Sequence, residues 1–527
     1  MAATKSDDGK LILATPVKSD RTGIGTDQLY QLFIDLDTED PPNVLGFLSK
    51  DTLDYLKRQF AGRDKAEGSL ADLKGLTDTW VQVLIEAIYF LRINDSREKH
   101  FFIKEASDTK KATMKNRDVA SSAQSNVYGI EELADYFRQF EQFESTLYGA
   151  DEYYRDHVTH LLNVWFTGLN ILEKHGECFK MRVLEAAVIK DASDLESARS
   201  KLLKEGVSDA LLCLSTAELS AMWTIIALTH DLGYPLEKVE KINDELEKML
   251  SKFGKIGFSR SRFSFETQHD HLVRFMLNLI SSVAKNLPED QGKWKTHIRS
   301  KYYAKFSKSW ESFDHGIVSS LILLKSLTYF IEVDYCLDTS QPIKLEDARQ
   351  FAIRSEILHA IASHTTPKIY HLSTNNLPFL LVLCDDIQEW TRPTFGDMKS
   401  GIRGNAKFVA IEKLEMSPTT STIHCLLQYN EASFYQQAKF AVRILKSWYE
   451  RFRPALGDED RSLDFSWQIQ FGEDAPWIFR IDPKGGAFKE ITTSRPNEEN
   501  RKLSKVFSLY DNTDASAPGN RSRYTAI

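Results

Sequence analysis

Apolar residues recur at helical spacing through most of this chain and switch to strict alternation only near its end. The run Trp80-Val-Gln-Val-Leu-Ile-Glu-Ala-Ile-Tyr-Phe-Leu91 has the spacing of a buried helix. From about 130 to 395 the pattern is helical almost throughout. It predicts a long helix over 152–173 that stops near Gly176, and a second over 216–232. A charged amphipathic stretch follows over 236–253, and residues 254–312 are polar, basic and studded with aromatics. Helical spacing resumes over 314–333, 345–364 and 376–390.

Residues 407–416 and 421–429 alternate like paired strands. A helix over 432–452 and strand-like pieces over 463–471 and 477–481 complete a ββαββ order, the signature of a small α+β unit. The predicted fold is therefore mainly α, a helical bundle with a small C-terminal α+β domain. The expected division is a flexible N-terminus over 1–25, a helical region over 26–150 and a helical domain over 151–395. Insertions at about 176–215 and 240–312 interrupt that domain. The α+β domain takes 403–486, and 487–527 reads as a flexible tail rich in Ser, Arg and Asn.

Composition narrows the function classes. The 527 residues are 27% charged and 42% hydrophobic, as in an ordinary soluble protein. A net charge of −8 disfavours a general nucleic-acid binder. The five cysteines are scattered and form no CxxC pair, which suits reduced thiols rather than a disulfide framework or zinc ribbon. The opening residues lack an apolar signal core and no run reaches spanning length, so a cytoplasmic protein without a membrane partner is expected.

The candidate chemistry lies at the edges of the apolar helices. His230 and Asp231 leave one such helix together, just before Gly233-Tyr-Pro235. Taken alone, the dipeptide reads as a helix-ending pair. His160 lies mid-helix in Asp156-His-Val-Thr-His-Leu161, with His157 a rival on nearly the same face. One of the two is a ligand and the other a neighbouring or substrate contact. His315 opens a helix, His364 ends one, and Asp385 closes the apolar run Phe379-Leu-Leu-Val-Leu-Cys384. Facing helices can converge such donors in a bundle interior. Imidazoles and carboxylates without thiolate suit one or two divalent ions, Mn, Fe, Ni, Co, Zn or Mg. The cluster His269-Asp-His271 reads as a solvated helix start. Asp386 reads as an acid beside the ligand or a cap.

The order His…His-Asp…His…His…Asp resembles the HD superfamily of metal-dependent phosphohydrolases, over roughly 150–395. His315-Gly and Ala360-Ile-Ala-Ser-His-Thr365 are similar to that superfamily's His-Gly and Ala-Ile-x-x-His-Thr elements. The resemblance implies that His160, His230, Asp231 and Asp385 hold one metal. His315 and His364 would hold a second, with Asp231 bridging. Two-metal branches include diadenosine tetraphosphate hydrolases and cyclic-dinucleotide phosphodiesterases.

The implied activity is hydrolysis of a phosphoester or phosphoanhydride by metal-activated water, the partner being a phosphorylated small molecule, a nucleotide first. Asp231 is the expected proton acceptor as well as the bridge. Lys238 substitutes for the Lys that many members carry soon after the pair, a position held here by Tyr234. Arg392 and His157 are the expected substrate contacts. The competing readings are an inactive nucleotide-sensing or interaction scaffold and a di-iron oxygenase of the same superfamily.

Overall fold

The computed structural model describes residues 24–25, 29–60, 76–93, 128–150, 157–179, 213–254, 267–286, 293–332, 342–366, 374–389, 408–416, 420–429, 451–452, 462–472, 477–481 and 488–493. The chain is mainly helical with small sheets. Its helices are α1 (Lys50–Phe60), α2 (Leu76–Ile93), α3 (Ile130–Ala150), α4 (Val158–Phe179), α5 (Thr216–Thr229), α6 (Tyr234–Leu250), α7 (Thr267–Ser281), α8 (Ser300–Glu311), α9 (His315–Ser326), α10 (Leu345–Ser363) and α11 (Leu377–Glu389).

The centre of the bundle is α5. It is apolar all round, and every residue from Glu218 to Thr229 is buried, as a helix enclosed on all sides must be. Its start is fixed by a capping box. Ser215 accepts from the Glu218 amide at 3.2 Å, while Glu218 accepts from the Ser215 amide at 2.8 Å. Glu218 also pairs with buried Arg349 of α10 at 2.6 Å, so the cap ties two helices together.

Against α5, α4 packs so closely that a Cβ on Gly168 would come within 2.0 Å of the Trp223 ring. The two indoles then lock the pair. Trp165 Nε1 donates to Thr224 Oγ1 at 2.9 Å, and Trp223 Nε1 donates to the Trp165 carbonyl at 3.0 Å. On the other side, Trp80 of α2 donates to the Leu228 carbonyl at 2.7 Å and Tyr136 of α3 to the Leu232 carbonyl at 2.7 Å. A helix end leaves carbonyls without intrahelical partners. Here the side chains that satisfy them flank the His230-Asp231 pair.

The segment read as an insertion at 240–312 contributes buried core through Val273, Met276, Leu279 and Ile280 of α7 and Tyr302 and Phe306 of α8. Between them lies a hairpin of β2 (Ser282–Asn286) and β3 (Trp294–Ile298). Most of the 176–215 segment lies outside the described residues.

The C-terminal sheet has six strands. Their order is β1 (Ile24–Gly25), β4 (Phe408–Met416), β5 (Thr420–Tyr429), β6 (Ser462–Phe471), β7 (Trp477–Ile481) and β8 (Phe488–Thr493). Only β5 and β6 run parallel, pairing from Thr420↔Ser462 to Tyr429↔Phe471. A parallel pair needs a crossover, and the predicted helix over 432–452 is described only at Arg451 and Phe452. Two predicted loose ends differ from the structure. Ile24–Gly25 pairs with β4 and Phe488–Thr493 pairs with β7, so residues assigned to flexible termini close the sheet's two edges. β1 gains its order from β4, far away in sequence, and β8 from the adjoining β7, neither of which the polar composition of the termini reveals. Phe452 packs between Phe465 of β6, tilted at 5.1 Å, and Phe379 of α11, edge-on at 5.7 Å. Sheet and bundle meet beside the helix that carries Asp385.

No helix among the described residues is long and apolar enough to cross a membrane.

Candidate metal centre

Four helix ends, the turn that follows one of them and one helix interior deliver the six predicted ligands to one place. His230 is the C-cap of α5, and Asp231 follows in a turn closed by the Tyr234 amide donating to the Asp231 carbonyl at 2.9 Å. His364 is the C-cap of α10, and His315 is the first residue of α9. His160 comes from the first turn of α4 and Asp385 from α11. Gly316 allows the start of α9 to lie against the end of α10. A Cβ there would stand 2.6 Å from the Ile361 carbonyl and 2.9 Å from the His364 ring.

The carboxylate of Asp231 is the hub. Its Oδ2 faces His230 Nε2 at 3.4 Å and His160 Nε2 at 3.8 Å. Its Oδ1 faces His315 Nε2 at 3.3 Å and His364 Nε2 at 3.4 Å. Asp385 joins the first side, with Oδ1 at 3.0 Å from His160 Nε2. The ligand atoms of His160, His230 and Asp385 lie within 4.8 Å of one another, as do those of His230, Asp231 and His364. These buried groups are able to hold a metal ion and are compatible with an HD-type site.

Their hydrogen bonds show why a cation fits. His230 Nδ1 lies 2.9 Å from the Ala227 carbonyl and His364 Nδ1 lies 2.6 Å from the Ile361 carbonyl. A carbonyl only accepts, so each Nδ1 is the donor and each neutral ring turns a bare Nε2 lone pair inward. His315 has the same polarity, its Nδ1 being 2.6 Å from Glu237 Oε2. Buried His230 Nε2 has no hydrogen-bond partner. His364 Nε2 and His315 Nε2 face each other at 3.2 Å, two acceptors in contact unless a proton or cation lies between. Buried polar atoms are normally satisfied, and a divalent ion would satisfy these.

The other predicted residues that are described stand outside this cluster. His157 is buried beside it, its amide donating to Glu144 Oε1 at 2.6 Å and its ring 3.9 Å from that of Tyr234. Lys238 holds its ammonium 4.5 Å above the Tyr234 ring and 3.3 Å from Glu237. Arg392 lies outside the described residues. His359 bonds through Nδ1 to the Ile280 carbonyl at 2.8 Å and serves the core. Asp270 and His271 are exposed, as a solvated helix start requires.

Two neighbours escaped the sequence reading. Glu237 grips His315. Arg451 reaches from the C-terminal region to Asp385 Oδ2 at 3.0 Å and Asp386 Oδ1 at 2.8 Å. The signal for Glu237 was an acid in the first turn of the helix after the pair, next to the Lys238 that was chosen. Nothing local marks Arg451.

Electrostatics follow from this packing. Burial alone would push the Asp231 carboxyl up, but His230, His315 and His364 outweigh it and hold Asp231 well below the ordinary carboxylate range. For Asp385, burial is likewise outweighed, by His160, Arg451 and His230. Burial pushes His230 below the ordinary 6.5. His315 goes the other way: burial lowers it, but Glu237 and Asp231 raise it to about 10.

A pH profile of the metal-free protein follows from the opposed signs of His230 and His315. A depressed imidazole such as His230 contributes stability above 6.5 and loses it as pH falls. A raised one such as His315 contributes fully below 6.5 and loses it as pH climbs toward 10. Chelator-treated protein should therefore contribute most stability from this site near pH 6.5. Thermal melts should show an alkaline decline that Mn²⁺ suppresses by taking the proton's place. An alkaline branch of the same size in His315→Gln would contradict this origin.

Compared with protein-family models, with curated proteins and with solved structures, the chain finds no match.

Proposed function

We propose that this chain is an HD-type metal-dependent phosphohydrolase that cleaves a phosphoester or phosphoanhydride, with a nucleotide as its substrate class. The observation that carries the reading is the division of Asp231, one oxygen toward His160 and His230 and the other toward His315 and His364. In this reading His160, His230, Asp385 and Asp231 hold one divalent ion, and His315, His364 and Asp231 a second. A bound ion supplies Lewis acidity toward phosphoryl oxygens and makes water acidic enough to attack phosphorus near neutral pH.

The protein's own groups then have separable tasks. His230, His315 and His364 hold Asp231 toward its ionised form, which suits it to binding and spacing cations. In this reading it is also the acceptor for the proton of the attacking water. His230 and His364 are fixed by their carbonyl partners, which removes the cost of orienting them when an ion arrives. Lys238, steadied by Tyr234 and Glu237, is the described cation offered to a substrate phosphate. It would draw the phosphoryl group toward the ions by charge rather than by shape.

The test is a metal analysis followed by a product screen. Protein supplied with Mn²⁺, Co²⁺, Zn²⁺ or Mg²⁺ is incubated with mononucleotides, dinucleoside polyphosphates, cyclic dinucleotides and short oligonucleotides. We expect metal-dependent phosphate or nucleotide release from at least one class with wild type and none with Asp231→Ala. If all four classes give no product, the reading fails.

A further inference from the structure

The imidazoles around Asp231 are not oriented alike. His230 and His364 stand at helix C-termini, where the carbonyl three residues back is left without an amide partner and can take the ring N–H. His315 is at the opposite end of a helix. Its own helix has no preceding turn and therefore no such carbonyl to offer. The chain supplies an acceptor from elsewhere. Glu237, in the first turn of α6, places Oε2 at 2.6 Å from His315 Nδ1 and at 3.2 Å from the His315 backbone amide. Asp314, the N-cap of α9, makes no side-chain capping bond. One carboxylate oxygen thus caps the helix and turns the ring together.

We propose that Glu237 is the positioning residue of the ion on the His315–His364 side, converting His315 from a helix-terminal imidazole into a fixed inward donor. The inference rests on the two-ion reading of this site. With its Nδ1–H committed to Glu237, His315 presents Nε2 at 3.3 Å from Asp231 Oδ1 and 3.2 Å from His364 Nε2. A full negative charge behind the ring also makes it a stronger donor than a carbonyl would, and such outer partners govern metal affinity by about 10- to 100-fold. Among the described residues Glu237 makes its side-chain contacts with His315 and Lys238, so its influence falls on one ion. The same carboxylate lies 3.3 Å from Lys238, which links the second ion to the group offered to substrate.

The experiment is calorimetric titration of the full chain with Mn²⁺ alone, without substrate. Wild type should take up two equivalents. Glu237→Ala should keep the first with unchanged affinity and bind the second about 10- to 100-fold more weakly. Glu237→Gln retains an acceptor oxygen for Nδ1–H and the backbone amide, and should recover most of that loss. It also keeps the test alive if the alanine variant fails to fold: a weakening confined to the second equivalent, several-fold from the lost charge, supports the role. Equal losses at both equivalents, no loss in either variant, or a wild type that binds a single ion would each overturn the inference. Because no turnover is measured, such a failure is distinct from failure of the phosphohydrolase reading, which rests on product release.

Discussion

Asp231→Asn is expected to abolish two-ion binding, and metal-dependent hydrolysis with it, in a protein that still folds. The substitution keeps the shape of a side chain that is 5% exposed, so it opens no cavity. It removes the one charge shared by both halves of the cluster. The four imidazoles that now face two carboxylate oxygens would face one carbonyl oxygen and one NH₂ group. An NH₂ can donate to a bare Nε2 lone pair, but it offers no lone pair to a cation. Affinity should fall by more than about 100-fold, beyond the range that changes outside the ligand set produce.

Thermal melts separate this from unfolding. At a Mn²⁺ concentration 100 times the dissociation constant of a site, wild type gains about 2.7 kcal/mol by linkage for each ion bound there, and the variant should gain almost none. Without metal the variant should still melt cooperatively, but lower than wild type, because the imidazoles around Asp231 stabilise its charge in the folded protein. A metal-induced shift equal to that of wild type would remove Asp231 from the centre of the site.

Legibility in the sequence followed the reach of each interaction. His230 and His364 could be picked out because each ends an apolar helical run, and the bonds that fix their rings are made three residues back. His315 could be picked out as a helix start but not its partner, because Glu237 lies 78 residues away. The choice between His157 and His160 needed the fold. Both sit on nearly one face, and only packing against Tyr234 and Glu144 turns His157 away from Asp231. The strands β4 to β7 were marked by alternation, whereas β1 and β8 are edges whose order comes from neighbours. The 240–312 segment reads as an insertion because its polar stretches hide a few buried anchors, Met276, Ile280 and Phe306 among them.

Arg451→Ala carries the second large effect, and it falls on stability. The guanidinium forks between Asp385 and Asp386, whose side chains are only 14% and 6% exposed. Such a planar fork serves two carboxylates at once in a fixed geometry that a point-charge ammonium does not reproduce. Removing it leaves adjacent buried carboxylates without their arginine. Deleting one partner of a buried ion pair costs about 3–5 kcal/mol. The 24% exposure of Arg451 itself places the expectation near the lower end, about 3 kcal/mol. That is a large share of the roughly 5–15 kcal/mol net stability of a folded protein.

The loss should be smaller with Mn²⁺ present, because an ion bound by Asp385 neutralises one of the two stranded charges. The variant should then show a larger metal-induced rise in melting temperature than wild type, provided the ion still binds. Arg451→Lys should fall between the two. Adding Asp386→Asn to Arg451→Ala should recover part of the loss, since the second stranded charge is gone. A metal-free loss below about 1 kcal/mol, the scale of a solvated surface pair, would mean that water rather than Arg451 compensates these carboxylates. A full-sized loss that Mn²⁺ reduces would instead show that the C-terminal region and the metal neutralise the same charge from two sides. Asp385 offers Oδ1 toward His160 and Oδ2 toward Arg451, which is the arrangement such sharing requires.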